Sequence, residues 1–389
     1  MTLVLADEKS NVQPAVVGVA LAGLVALTIA AVQASDARQA LLAPLGFFAG
    51  VALYHASFGF TTAWRRLLED RRSLGLRAQI VMLGLAIVVF FPALSAGELF
   101  GQPANGFVFP VGYALLVGAF LFGIGMQLGG GCGSGTLYKV GGGLVGNVVT
   151  LGAFIAGSLF ATAQPWGWTQ WPDIGAYSLV VREGPIRATG FALAGLIIVY
   201  GIVREIEQAR HGETQPLFAG LRGDFLRGPW PVVIGALALA FVNIATLLVI
   251  GRPWGITSAF ALWGAKIAAF AGYPVAAWDW WSGEPALAQS VFADANSIMD
   301  FGVILGALAA AGMSGAFAPR MSMPKRSLVA AVLGGLLMGF GARLATGCNI
   351  GAYFSGIASG SLHGVVWAAC AFCGSAIGVR LRPLFGVYV

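Results

Sequence analysis

The 389-residue chain is 58% hydrophobic and only 10% charged, with a mean hydropathy of +0.83 and a formal charge of +6. Soluble globular domains carry about 25% charged residues, so a water-soluble protein with one large core is excluded. The basic residues sit in short loops, where the positive-inside rule explains them without invoking nucleic acid.

A helix needs roughly 20 apolar residues to cross a hydrocarbon layer. In chain order the runs 14–34, 40–60, 78–100, 107–128, 143–163, 187–203, 230–251, 298–317, 327–346 and 362–379 predict about ten spans. The first reads as a retained helix: Val12–Val32 is too long for a signal-peptide core, and Asp7-Glu8-Lys9 before it is not positive overall. The 57 glycines suit helices whose backbones approach closely. Four cysteines (132, 348, 370 and 373) lie in apolar or Gly-rich surroundings, which argues against an extracellular disulfide framework. The expected fold is all-α, a polytopic transmembrane bundle forming one integral membrane domain.

Positive charge gathers at Arg65–Arg77, Arg204–Arg227 and Arg320–Arg326. Placing all three in the cytoplasm, with both chain termini, closes the first half without conflict. Span 78–100 runs outward, 107–128 inward, the Gly-rich 129–142 follows, 143–163 runs outward and 187–203 returns. The second half closes only with a re-entrant segment. Ala276–Asn296 carries Asp279, Glu284 and Asp294 with no Lys or Arg, so it belongs outside. Trp254–Gly272 must then enter the membrane and turn back, and broken backbone at that depth is tolerated only where it is buried or lines a polar cavity.

An internal repeat points to the same place. Gly123-Ile-Gly-Met-Gln-Leu-Gly-Gly-Gly-Cys-Gly-Ser-Gly135 aligns without gaps on Gly339-Phe-Gly-Ala-Arg-Leu-Ala-Thr-Gly-Cys-Asn-Ile-Gly351, with six of thirteen positions identical, Cys132 and Cys348 among them. Phe58-Gly-Phe-Thr-Thr-Ala-Trp64 pairs more weakly with Trp254-Gly-Ile-Thr-Ser-Ala-Phe260. The charge assignment runs 107–128 inward and its mate 327–346 outward, which predicts an inverted repeat: 40–204 against 228–382, joined by a cytoplasmic linker over 205–227. Transporters of this architecture bind substrate where the repeats meet, near the midplane.

In each copy the glycines permit a helix break within the membrane. The candidates there are Gly131, Gly133 and Gly135 in the first copy, Gly347, Asn349 and Gly351 in the second, and Gly255 and Thr257 in the re-entrant segment. Helix N-termini created by such breaks present free N–H groups and partial positive charge, an anion site without a buried Lys or Arg. Cys132 and Cys348 stand at the centres of the breaks. As isolated residues they would read as small apolar filler; kept in both copies of a diverged repeat, they read as lining a substrate path. Two thiolates alone leave a tetrahedral metal site incomplete, although Cu(I) stays open. A soft sulfur-bearing anion suits neutral thiols and helix N-termini better.

With Trp254-Gly-Ile-Thr-Ser-Ala and Ser355-Gly-Ile-Ala-Ser-Gly360, these motifs resemble the YeeE/YedE membrane family from about His55 to the C-terminus. The resemblance implies a thiosulfate importer of the bacterial inner membrane, shaped as an hourglass. Its re-entrant helices would meet at a narrow centre, with Cys132 and Cys348 on the path and a small cytoplasmic sulfurtransferase-like protein as partner. Many relatives carry Phe-Cys where this chain has Phe58-Gly59, so a relay needing three cysteines in line lacks its third thiol here. Some relatives are assigned to selenium compounds.

Other residues carry weaker signals. Cys370 and Cys373 have redox-pair spacing, but inside a span small residues simply pack; Cys370 remains a candidate pathway residue. Arg343 and its repeat mate Gln127 are further candidates, since a charge inside a span usually faces an interior path. Pairing of Arg343 with a local carbonyl is the alternative. Lys266 suits snorkelling to the surface. Lys139 either draws anions to the inner mouth or is a plain flank residue. His55 and His363 lack a ligand cluster, and neither a metal nor a cofactor is expected. No Walker-type loop is present, so ATP hydrolysis by this chain is not expected. The sequence thus reads as a transporter, not an enzyme. The rivals are a carrier for another sulfur or selenium anion, or a membrane thiol enzyme forming a persulfide on Cys132 or Cys348.

Overall fold

The structure is a computed structural model that describes residues 11–218, 225–319 and 323–387. Asp7-Glu8-Lys9 and the basic residues Arg222 and Arg320 lie outside the described residues. The first half comprises α1 (Pro14–Ala34), α2 (Ala37–Ala40), α3 (Leu42–His55), α4 (Phe60–Asp70), α5 (Leu74–Ala96), α6 (Tyr113–Leu128), α7 (Gly133–Gly141), α8 (Val145–Thr162) and α9 (Leu179–His211). The second comprises α10 (Val232–Ile250), α11 (Ile256–Phe270), α12 (Ala295–Met313), α13 (Lys325–Leu344), a wide π-helical turn (Asn349–Ser355) continued by α14 (Gly356–Ala358), and α15 (Leu362–Leu381). Among the described residues, ten helical stretches are long and apolar enough to cross a membrane. The chain is an all-α polytopic membrane bundle. Two short antiparallel strand pairs, Glu98–Leu99 with Gln102–Pro103 and Pro110–Gly112 with Asp173–Ala176, tie loops together.

Three boundaries differ from expectation. The first basic segment is not all loop: α4 carries Arg65 and Arg66 on a helix whose other face buries Phe60, Ala63, Trp64 and Leu67. Burial of that apolar stripe, absent from a hydropathy average, is what forms it. α9 runs on to His211, so Arg204 and Arg210 are helical, and it bends at Gly184–Pro185, where Gly184 takes a φ of 73° and Pro185 cannot donate. α6 starts at Tyr113 rather than 107, because Pro110–Gly112 pairs as a strand.

The two halves interlock. α3 packs on α12, while α10 packs on α5; α6 packs on α15, while α13 packs on α8; α6 and α13 also pack on each other. Glycine allows these approaches. Gly46 and Gly50 of α3 lie on the backbone of Met299 and Val303, and a Cβ at Gly306 of α12 would overlap the Phe47 carbonyl. Likewise Gly123 lies on the Ala371 carbonyl and Gly374 on that of Phe120. In hydrocarbon, where apolar burial drives little association, such backbone contacts and their dispersion energy hold helices together. α1 and α9 lie outermost, presenting residues such as Val25, Ile29, Ile197 and Ile198 outward.

The basic segments gather at one end. Glu207 of α9 accepts from Ser73 N, Ser73 Oγ (2.5 Å) and Gln215 N, and pairs with Arg72 (3.3 Å) and Arg77 (3.2 Å). His211 Nε2 meets the Asp70 carbonyl at 2.8 Å. Gln13, near the start of the described chain, bonds to the Gly312 and Phe317 carbonyls, close to the third basic segment. The opposite end is rich in tryptophan: Trp168 packs at a tilt on Trp280 (ring centroids 5.6 Å), and Trp281 Nε1 donates to Thr162 Oγ1 (3.0 Å).

α11 doubles back as expected. α10 ends at Ile250, yet four residues later Trp254 N donates to Asn243 Oδ1 (2.9 Å), two turns back along α10. From there α11 climbs toward the 285–290 loop, where Lys266 Nζ donates to the Leu287 and Gln289 carbonyls. That loop leads to Ala293, which is tied to Gln39, while Arg38 beside it binds the Leu248 carbonyl at the end of α10. Both flanks of α11 therefore lie at the same end.

Because Gly306 lies on the α3 backbone, Gly306→Ala should overpack that contact by about 1–3 kcal/mol and lower the midpoint of thermal unfolding in detergent. Gly18→Ala, where a Cβ meets nothing within 4 Å, should leave the midpoint unchanged or raise it.

Candidate functional site

Two spans stop inside the bundle. α6 ends at Leu128; after a tight turn with Gly130 at φ 72°, Cys132 stands at the N-cap of α7. α13 ends at Leu344, the chain turns through Thr346 and Gly347, and Cys348 stands at the N-cap of the Asn349–Ser355 turn. Gly347 needs to be glycine. Its φ is 146°, and a Cβ there would lie 2.8 Å from Ala352 N. Both thiols are free and enclosed, Cys132 at 1% exposure and Cys348 at 0%. Each sulfur faces its own helix start: the N–H of Gly135 for Cys132, and those of Ile350 and Gly351 for Cys348. Ser134 Oγ lies 3.5 Å from Cys132 Sγ.

The breaks meet each other and the first turn of α11. A Cβ on Gly133 would lie 3.4 Å from Cys348 Sγ, 3.3 Å from Ile256 Cγ2 and 3.5 Å from Thr257 Cγ2. A Cβ on Gly351 would lie 3.7 Å from the Gly255 Cα, and one on Gly255 would press on the Phe107 ring at 3.1 Å. Gly131 folds back on Gly135, where a Cβ would be 3.1 Å from the carbonyl carbon. The structure therefore brings Cys132, Gly133, Cys348, Gly351, Gly255 and Thr257 together at one buried junction, the neck of the proposal below, with Gly131, Gly135, Gly347 and Asn349 forming the turns behind it. At this junction a side chain on Gly131, Gly133 or Gly255 would press on its neighbours, whereas Gly135 and Gly351 leave ordinary contact distances.

Arg343 answers the question left by its position. Nη2 donates to Thr257 Oγ1 (2.8 Å), not to a local carbonyl, and its Nε has no partner. The repeat mates behave alike: Gln127 Nε2 donates to the Thr61 carbonyl (3.2 Å), and Thr61 is the counterpart of Thr257. Asn349 is fully buried, and neither of its amide atoms has a hydrogen-bond partner in the protein. Such orphaned polar atoms are rare in interiors and mark places that meet water or ligand.

Below the first break, on the basic end, opens a cavity of about 670 Å³. Arg65, Arg66, Arg72, Lys139 and Arg382 line it, no Asp or Glu among the described residues does, and its walls reach Gly59, Gly129 and Gly130. Lys139 is anchored there by donating to the Gly130 carbonyl, and Arg382 Nη1 donates to the Gln127 carbonyl (2.8 Å). Sequence spacing could not disclose this vestibule, because its cations come from α4 and the turn after it, from α7 and from the residues following α15.

Other candidates lie apart. Cys370 is half-buried on α15 and Cys373 exposed on the same helix; no described hydrogen bond joins either to the neck. His55 packs on Trp230 (ring centroids 5.2 Å), and His363 Nδ1 meets Ser361 Oγ (2.8 Å). Three polar residues that were not site candidates in the sequence hold α11 in place. Asn243 bonds Trp254 N and Ser355 Oγ, Ser355 Oγ donates to the Trp254 carbonyl, and Asn296 Oδ1 accepts from Gly255 N (3.2 Å). Buried amides inside apolar spans were the signal.

The family model described as sulphur transport matches residues 55–377. The chain belongs to that family. Within it, the chain is 27% identical over 336 residues to the thiosulfate transporter TsuA of Spirochaeta thermophila, covering 84% of this chain and 93% of the relative. It is 24% identical over 325 residues to the thiosulfate transporter TsuA of Escherichia coli, with 79% and 84% covered. The probable transporter YedE of Escherichia coli is 30% identical over 162 residues, 41% of this chain and 40% of its own length. The family is described as one of sulphur transport, and the two TsuA relatives are named for thiosulfate.

Gly59 lines the vestibule with ordinary φ and ψ, and its nearest would-be Cβ contact is Thr62 Oγ1 at 3.6 Å, so a side chain fits. The thiol introduced by Gly59→Cys should react with a charged maleimide at least about tenfold faster than Cys132 or Cys348, which are closed to solvent. Peptide mass mapping of detergent-solubilised protein reads the rates.

Proposed function

We propose that this chain imports thiosulfate across a bacterial inner membrane through the Cys132–Cys348 neck, acting as a transporter and not as an enzyme. The observation that carries the proposal is the meeting of two Cys-capped helix starts and the α11 N-terminus in one buried neck beside a basic vestibule. The relatives named for thiosulfate transport supply the substrate class.

Thiosulfate has two unlike ends. Its polarizable terminal sulfur suits the weak S–H donors of neutral thiols, while its sulfonate oxygens suit free N–H groups at the starts of α7 and α11 and the Arg343 guanidinium. A thiolate in the neck would repel the dianion, so passage uses the neutral thiol that free cysteine presents at neutral pH. The vestibule cations lower the energy of the anion as it leaves the neck on the side that positive-inside charge marks as cytoplasmic. On this reading both termini are cytoplasmic, and a sulfurtransferase-like partner would meet the chain at the vestibule. Residues 40–204 and 228–382 act as inverted repeats about the neck; the interlocked packing of the halves and the Gln127–Thr61 and Arg343–Thr257 pairs support that division.

In liposomes holding the purified protein, uptake of sulfane-labelled thiosulfate should exceed uptake of sulfate. Cys132→Ala and Cys348→Ala should each reduce it about tenfold to a hundredfold, the scale of one lost hydrogen bond to a charged group. The Ser variants should keep part of the activity, because a hydroxyl still donates. Ser variants as inactive as Ala would instead favour covalent sulfur relay, and no uptake by folded wild type would overturn unaided transport.

A further inference from the structure

One ionisable group in the core has no role in the path described above. Asp300 lies in α12, fully buried, and neither carboxyl oxygen has a hydrogen-bond partner. The indole of Trp254 is the nearest donor, at the limit of hydrogen-bonding reach of the carboxyl, and Trp254 Nε1 has no other partner. Cys348 is within electrostatic reach. Asn296, one turn earlier on the same face of α12, holds the α11 N-terminus at Gly255 and Ser258. The carboxyl thus stands behind the neck, next to its second thiol.

Among the described residues no cation answers it. α3 brings Tyr54 and His55 only at its far end, where Tyr54 meets Ser314. α1 brings no titratable side chain. From α7, Lys139 is committed to the Gly130 carbonyl and Tyr138 sits by Tyr54; from α11, Lys266 is committed to the Leu287 and Gln289 carbonyls. The remaining charged neighbour is Asp294, whose carboxylate caps α12 through Ser297 N and Oγ, both at 2.7 Å. It stands six residues before Asp300, about 9 Å along the helix, at the end of the molecule opposite the basic vestibule, where Arg252 faces it. An unpaired carboxylate inside a bilayer marks an ion or proton path.

We propose that Asp300 is a proton site linked to the neck, so that sulfur-anion uptake is coupled to inward proton movement. The inference rests on the transport reading above. A dianion beside Cys348 and an ionised Asp300 would repel each other across low-dielectric protein, so the anion enters with a proton on the carboxyl. Linkage is reciprocal: the anion strengthens proton binding by the factor by which the proton strengthens anion binding. The proton comes from external water by way of the Asp294 end and leaves to internal water once the anion has gone. No bond of the anion is broken, and nothing is oxidised.

The test uses the full chain in liposomes loaded with a pH-sensitive dye, potential clamped, with labelled thiosulfate outside. Wild type should acidify the lumen only when thiosulfate is added. Each pH unit of inward proton gradient should raise its steady-state accumulation about tenfold if one proton accompanies each anion. Asp300→Asn should lose both the acidification and the response to the gradient, and Asp300→Glu should regain them. Sulfur flux in wild type without acidification and indifferent to the gradient overturns proton coupling while leaving transport intact. Absence of any sulfur flux overturns the transport reading, and coupling with it. Should Asp300→Asn fail to fold, the wild-type proton signal decides alone.

Discussion

A backbone N–H or C=O facing hydrocarbon without a partner costs several kcal/mol. A chain that stops helices at mid-depth must therefore wrap each stop in protein. Here three stops, before α7, before α11 and before the Asn349–Ser355 turn, are packed against one another. Their enclosure comes from helix pairs whose glycines bring backbones into contact. Polar side chains serve groups the breaks leave open: Asn243 and Asn296 take the Trp254 and Gly255 N–H groups, and Ser355 takes the Trp254 carbonyl. Remove the glycine contacts and the neck has no walls; remove the amides and α11 has no fixed start.

On the proposed transport path the charge distribution divides labour. Among the described residues five cations line the vestibule, whereas the neck holds glycines, two thiols and a threonine with a single guanidinium behind it. A strongly charged neck would hold a dianion too firmly to release it, while binding must be favourable enough to admit it. Helix starts offer donors of moderate strength that cost nothing to reorganise, and the vestibule supplies the stronger attraction where water also reaches the anion.

Much of this was legible in the residues. Hydropathy located the spans because a bilayer imposes length on them, and the acidic character of 276–296 forced Trp254–Gly272 to turn back. The repeated Gly-Cys motif placed both thiols at helix starts, since clustered glycine before a new apolar run stops one helix and begins another. What stayed hidden depends on tertiary juxtaposition. α4 is too polar on average to register as apolar, yet its Phe60, Ala63, Trp64 and Leu67 stripe packs inward. The vestibule draws Arg65 and Arg382 from opposite ends of the chain. Asp300 sits near the edge of an apolar run, where a carboxylate reads as an interfacial residue until its burial is known.

The interlocked packing also bears on how the molecule is made. Synthesis delivers α3 and α6 long before α12 and α15, the helices whose backbones they are shaped to touch. Through most of translation, then, the glycine faces of the first half meet lipid or provisional neighbours, and nearly all defining contacts are non-local in sequence. The nascent half is a set of inserted but undocked helices, a substrate for membrane quality control if elongation stalls. Separately expressed halves would depend on meeting in the same bilayer, because each carries the missing walls of the other.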